Sequence, residues 1–323
     1  MPFRVRRLLR LGLPALVLLI GLWPMAAQPP AGSPTRRLVI IGQGPGDPVA
    51  AATIHGVRQF FPDTPGGGWT ATLLRPDRRD PVDQADLVRQ QFIHPPDAVW
   101  VHPIDLPRLG PALAFLTDRG LAVRLFGSAV SNRPDQPPLA APGSAWAGLM
   151  LEAAGQTALR AGAWQPVFGG SAGKSGTEQA TLEAAWLSAS AATGLPVLPP
   201  IRVPERFGES VAALAARPDP DRRIGGWLFF GAWPFQQPGS ADIWNPNGLP
   251  VIACGATPAV LTSLARGELT ALLTDDPVAW GRWGARQLED PDDDSPEPKL
   301  RILDNRLASE ELERWKTLLR SDP

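Results

Sequence analysis

Gly42, Gly44 and Gly46 follow the strand-like run RLVII at residues 37–41, and a turn of this kind lets backbone N–H groups approach a phosphate or another small ligand closely. The spacing is GxGxG, whereas the dinucleotide fingerprint needs GxGxxG and an acid at the end of the second strand; here that strand ends in Leu74 and Arg75. Residues 168–175 read FGGSAGKS, one glycine short of the phosphate loop GxxxxGKS because Phe168 stands where the first glycine belongs. No GxSxG nucleophile elbow is present. His55, His94 and His102 lie at spacings that suit no zinc motif, and each reads as structural or surface. Cys254 is alone, which removes an intramolecular disulfide and a thiolate metal cluster. With no nucleophile, acid–base pair or metal set legible, no enzyme, no catalytic residue, no metal and no cofactor are expected. What the glycines do suit is ligand approach at the carboxyl ends of strands, where open α/β sheets bind small molecules.

The elements that would position such a site alternate along the chain. Residues 37–41 read as a buried strand, and residues 48–61 carry Ala50, Ile54, Val57 and Phe61 at helical spacing, with Asp47 as N-cap and Pro48 at the first helical position. The unit recurs as strand 70–74 with helix 82–91, and as strand 98–102 with helix 106–119, opened by Asp105 and Pro107. Strand 122–126, a Pro-rich linker at 132–142 and helix 146–159 follow, and the linker is a sensible crossing between two lobes.

A second series comprises strands 166–168, 197–203, 227–230, 251–254 and 269–273 alternating with helices 177–192, 209–216, 258–266 and 277–288. An acidic loop at 289–297, strand 301–303 and helix 310–319 complete it. Repeated strand–helix units imply an α/β fold of parallel sheets with helices on both faces.

The N-terminus shifts the reading towards export. Arg4, Arg6, Arg7 and Arg10 precede an apolar run at 11–23, and Ala26 and Ala27 close it before Gln28. The run is interrupted by Pro14 and falls short of the roughly 20 apolar residues of a membrane span, so residues 1–27 are expected to be a cleaved signal peptide. That segment carries four arginines and no acid, so its removal takes the formal charge from −1 to −5, which argues against a nucleic-acid partner. About 290 residues then remain, more than one core usually holds, so two lobes are expected.

Order and spacing together resemble the type I periplasmic binding proteins, the sugar-binding branch similar to ribose- and galactose-binding proteins of ABC importers. IIGQGPGDPVAAATIHGVRQF resembles that family's first strand and helix, and AVWVHPIDLPRLGPALAFLTDRGLAVRLF its segment in which a strand ends in Pro and an Asp caps the next helix. LPVIACGATPAVLTSLARGELTALLTDDPVAWGRWGARQL resembles its late signature before the hinge helix, and KLRILDNRLASEELERW its closing strand and helix.

The resemblance implies two Rossmann-like lobes joined by a multi-crossing hinge. Residues 35–141 with about 276–303 would form the first lobe, and 142–275 with about 304–323 the second. It also implies a monomer in the periplasm that closes on a small ligand, most readily a sugar, for a membrane permease. A sensory protein of the same fold and an exported scaffold are the alternatives. The ligand positions carried over are Asp47, Val49, Gly127, Ser128, Glu178, Trp233, Gly255 and Asp275. Several depart from the family pattern. Val49 with Ala50 replaces two aromatics, Gly127 with Ser128 replaces a carboxylate and arginine, Gly255 replaces an acid, and Asp275 stands where a hinge-side Gln is usual. Glu178 falls near a cleft arginine. Trp227, Trp233, Phe235 and Trp244, with Trp280 and Trp283, either stack on a ligand or pack the core.

Overall fold

The computed structural model describes residues 35–61, 68–127, 138–159, 161–170, 177–217 and 223–320. The expected signal peptide lies outside them, as do Ser128 and residues 171–175 of the FGGSAGKS loop. Among the described residues no helix is long and apolar enough to cross a membrane.

The first sheet holds β1 (Arg36–Ile41), β2 (Trp69–Leu74), β3 (Ala98–Val101) and β4 (Ala122–Leu125), all parallel in the order β2-β1-β3-β4. Helices α1 (Pro48–Phe60), α2 (Pro81–Gln90) and α3 (Leu106–Thr117) connect them. β1 is apolar throughout its buried part because both faces are covered, as parallel sheets require. Leu38 and Ile40 pack with Ile54 and Val57 of α1, and Val39 and Ile41 join the cluster of Val88, Leu109 and Leu113 from α2 and α3.

The second sheet has the order β10-β9-β8-β7-β5-β6, from β5 (Ala163–Gly169), β6 (Ile201–Val203), β7 (Ile224–Phe229), β8 (Val251–Cys254), β9 (Ala271–Thr274) and β10 (Arg301–Leu303). α4 (Gly143–Gln156) and α5 (Thr177–Ser190) cover one face, where Met150 and Trp186 meet Phe168, Leu228 and Ile252. α6 (Phe207–Ala215), the short α7 (Ala241–Trp244), α8 (Pro258–Ala265) and α10 (Asn305–Arg320) cover the other, where Val211, Leu261 and Trp315 meet Val167, Phe229 and Leu272.

The expectation of parallel sheets holds except at β10, which pairs antiparallel with β9. The intervening helix, α9 (Pro277–Glu289), does not fold back onto its own sheet but lies against α1 of the first lobe, so the chain returns to β9 from the opposite direction. This also corrects the expected lobe limits. Residues 276–289 go with the first sheet, but 301–303 is an edge strand of the second, so the crossing falls within 290–300.

The α1–α9 contact is backbone against backbone. A Cβ at Gly56 would collide with the Val278 carbonyl oxygen, and one at Gly281 with the Thr53 carbonyl oxygen, so both positions need glycine for close approach rather than for backbone freedom. Behind this contact Ala52 of α1 and Val278 of α9 join the buried cluster that contains Trp315 of α10, which ties the lobes together on the hinge side.

Candidate functional site

Each sheet has a point where the connections leaving two adjacent parallel strands go to opposite sides, between β1 and β3 in the first and between β5 and β7 in the second. Ligands of open α/β sheets bind outside the carboxyl ends of strands at such points. A cavity of ≈ 260 Å³ lies there. Its first-lobe wall is Val49 at the start of α1, Gly127 after β4, and Ala140, and Trp146 of α4 lines it where the two lobes' clusters meet. Its second-lobe wall is Gln179 and Leu182 of α5, the Phe230–Ala232 turn after β7, Cys254 with Gly255–Thr257 after β8, and Asp275. Pro277 closes it at the hinge. A larger depression of ≈ 710 Å³, lined by Trp227, Trp244 and Asn245–Pro250, opens at the amino ends of β7 and β8. It is remote from both switch points, so the smaller cavity is the candidate site.

Of the positions named from the sequence, Val49, Gly127, Gly255 and Asp275 line this cavity together. Asp47, bonded to Val49 N, and Trp233, packed on Gly231, each neighbour a lining residue without lining the cavity themselves. Glu178 lies in the first turn of α5, and Ser128 falls outside the described residues.

Asp47 is nearly saturated by protein donors. Its Oδ1 accepts from Val49 N at 3.1 Å and Ala50 N at 3.2 Å, as an N-cap does, and its Oδ2 accepts from Gln43 N and from His102 Nδ1, each at 2.8 Å. The Gln43 amide donates to Pro103 O at 2.9 Å and so turns an N–H toward His102 Nε2 at 3.2 Å; the ring therefore donates through Nδ1. Burial pushes the Asp47 carboxyl up. The charge His102 can carry, its hydrogen bond and the N–H groups of Gln43 and Ala50 outweigh that and hold it at about 2. Gly127, at φ 63°, lies directly above this ring, where a Cβ would sit 2.8 Å from His102 Nε2. The histidine is thus structural.

Asp275 is held differently. It follows β9 and precedes Asp276, the N-cap of α9, which accepts from Val278 N at 3.0 Å and Ala279 N at 3.2 Å and pairs with Arg314 Nη2 at 2.6 Å. Among the described residues no side chain donates a hydrogen bond to Asp275. Burial pushes its carboxyl up, and the adjacent Asp276 adds to this; its own backbone N–H and the more distant His102 and Arg301 pull it down, and the outcome is about 6. Beside it, burial first and the charge of Asp275 second push the Cys254 thiol up, so this cysteine stays protonated and is no nucleophile.

The aromatic cluster is core. Trp227, Trp233, Phe235 and Trp244 are all buried, and Trp244 meets Trp227, Phe229 and Phe235 edge to face at 5.5, 5.2 and 5.9 Å. Trp233 fills the space above Gly231 and Gly169 next to Glu205. Trp280 and Trp283 are buried against the first sheet. The tryptophan that does line the cavity is Trp146, which packs with both lobes' clusters.

Trp146, Gln179 and Thr257 were not singled out as site residues from the sequence. Thr257 could have been, as an N-cap immediately after a strand end; Gln179 and Trp146 carry no local signal. Among the described residues no group of three or more His, Cys, Asp and Glu side chains could hold a metal ion.

No family model and no curated protein sequence matches the chain. Solved structures do. A periplasmic ribose ABC transporter protein from Conexibacter woesei superposes with a TM-score of 0.65 at 14% identity over 88% of this chain and 98% of that one. The chain has the periplasmic solute-binding protein fold. An ABC transporter solute-binding protein from Agrobacterium vitis, bound to α-D-tagatopyranose, matches at 0.64 and 16% over 87% and 99% of the two chains. One from Actinobacillus succinogenes with D-allose matches at 0.66 and 10% over 85% and 100%. In this chain the ≈ 260 Å³ cavity lies between the carboxyl ends of the two sheets.

Proposed function

We propose that the chain is an exported solute-binding protein that captures a small polar ligand between its lobes and presents it to the permease of an ABC importer. The observation that carries this is the ≈ 260 Å³ cavity at both switch points, walled by both lobes and reached by an aspartate with no protein side-chain partner among the described residues. The ligands named with the neighbouring folds make a carbohydrate the first class to test. Capture needs no covalent step. A ligand that contacts both walls favours the closed arrangement by its differential affinity for the two states, and the chain segments between the lobes are where the motion would be absorbed.

The expected N-terminal signal puts this capture in the periplasm, and the protein would act there as a monomer. The test is a thermal-shift screen of residues 28–323 against sugars, polyols, nucleosides, amino acids and amines. A ligand at about 100 times its dissociation constant adds about 2.7 kcal/mol of stability, which is readily seen. Silence across the panel from folded protein would refute solute capture.

A further inference from the structure

The cleft's described lining is mainly apolar: Val49 from the first lobe, and Trp146, Leu182, Phe230 and Ala256 from elements of the second. Among the described lining residues the strongly polar side chains are those of Gln179, Thr257 and Asp275. Gln179 is committed to the fold, accepting from Gly169 N at 2.9 Å and donating to Phe230 O at 3.1 Å. Thr257 Oγ1 caps α8 by accepting from Val260 N at 3.5 Å. The N-termini of α1 and α9 beside the cavity are already capped. Asp47 already accepts from the first turn of α1, and Asp276 from that of α9.

Among the described lining residues the one strong unmatched group is the Asp275 carboxylate. Its sequence neighbour Asp276 is neutralised by Arg314; of the described groups whose charge acts on Asp275 from further off, Arg301 is engaged by Glu311 at 3.2 Å and His102 by Asp47 at 2.8 Å. An ionised carboxylate in an apolar wall is costly unless it is paired and hydrogen-bonded. A neutral pyranose would meet it with one hydroxyl or two and would leave others against apolar surface, at roughly 1–3 kcal/mol for each hydroxyl without a partner. A cation pairs it with a charge-assisted hydrogen bond. The volume, below the roughly 300–1,000 Å³ typical of drug-sized pockets, requires a compact ligand.

We infer that the solute is a small organic amine, its ammonium group held by the Asp275 carboxylate and its C–H face laid against Trp146, Val49 and Leu182. This rests on the cleft being the capture site. The shared chemistry is an ammonium on a compact body, and the body is either an amino-substituted sugar or a plain hydrocarbon ring.

Calorimetric titration with matched pairs tests it: glucosamine against glucose, and cyclohexylmethylamine against cyclohexylmethanol. One amine or both should bind about tenfold or more tighter than the matching alcohol, and which pair responds identifies the body. The preference should vanish in Asp275→Asn. In the unmodified protein, amine affinity should fall as pH drops from about 7 to about 5, where the carboxylate takes up its proton; this profile decides the matter even if the variant does not fold. A neutral solute from the wider screen that binds as well in Asp275→Asn as in the parent, with neither amine preferred, overturns the amine and leaves solute capture standing. Absence of binding by every compound overturns both.

Discussion

Two aspartates approach the cleft from opposite lobes, and they are held in opposite ways. Asp47 caps α1 and accepts four hydrogen bonds, one of them from a histidine that Gln43 fixes in turn. Asp275 reaches the cavity with its side chain unmatched by any described donor side chain. Burial works against the charge of both; at Asp47 protein donors overcome it, at Asp275 they do not. The difference separates a carboxylate whose bonds are filled by the protein from one that no described side chain fills. Proximity to a cleft does not by itself make a residue a ligand contact. The number of its bonds already filled is the better guide.

The comparison rests on a rigidly docked α9, and the largest expected effect comes from loosening it. Gly281→Leu must force α9 away from the Thr53 carbonyl, and it should lower unfolding free energy by about 3 kcal/mol or more, read by urea denaturation. Next is Asp47→Ala, which removes the cap and strands His102. It should cost about 2–3 kcal/mol while leaving ligand affinity within a few-fold. Asp275→Asn should go the other way, raising stability of the empty protein at neutral pH by about 1–2 kcal/mol because it removes an unpaired buried charge.

The pH dependences have opposite signs. The folded carboxyl of Asp275 titrates near 6, above its unfolded value of 3.8, so the folded state binds its proton more tightly and stability falls as pH rises from about 4 through about 6. Asp47 titrates near 2 when folded, so its contribution is present above about pH 4 and is lost as pH falls through about 2. Thermal melts of the parent and the two variants across that range would separate the terms. The smallest effect is expected from Arg314→Met, which unpairs the partly exposed Asp276 and should cost about 1 kcal/mol or less, read as a small drop in melting temperature.

The local parts of this structure were legible in the sequence. Asp47 and Pro48 mark the start of α1 where the structure places it, and β1, β8 and α8 fall within a residue or so of their expected limits. The strand expected at 197–203 shrinks to Ile201–Val203 because Pro199 and Pro200 have no N–H to give a ladder. Helix α10 begins at Asn305, not 310. Its cap is Asp304, which accepts from Arg306 N and Leu307 N, and its first turn is too polar to show an apolar period. The antiparallel β10 was hidden for another reason: the lobe onto which α9 folds is a tertiary choice.

The site was legible only in outline. Asp275 stands out as an acid after a strand, but its lack of side-chain partners does not. The Asp47–His102 pair spans 55 residues and exists because β1 and β3 are neighbours in the sheet. Trp233, attractive in the sequence as a stacking surface, is consumed by packing over two glycines.

The most direct test of the central claim is a paired measurement on Asp275→Asn and Asp47→Asn: unfolding free energy without ligand, and affinity for the best solute from the screen. Asp275→Asn should gain stability and lose binding, while Asp47→Asn should lose stability and keep affinity within a few-fold. An Asp275→Asn protein that is less stable than its parent, or that binds as well, would contradict the assignment of that carboxylate to the ligand.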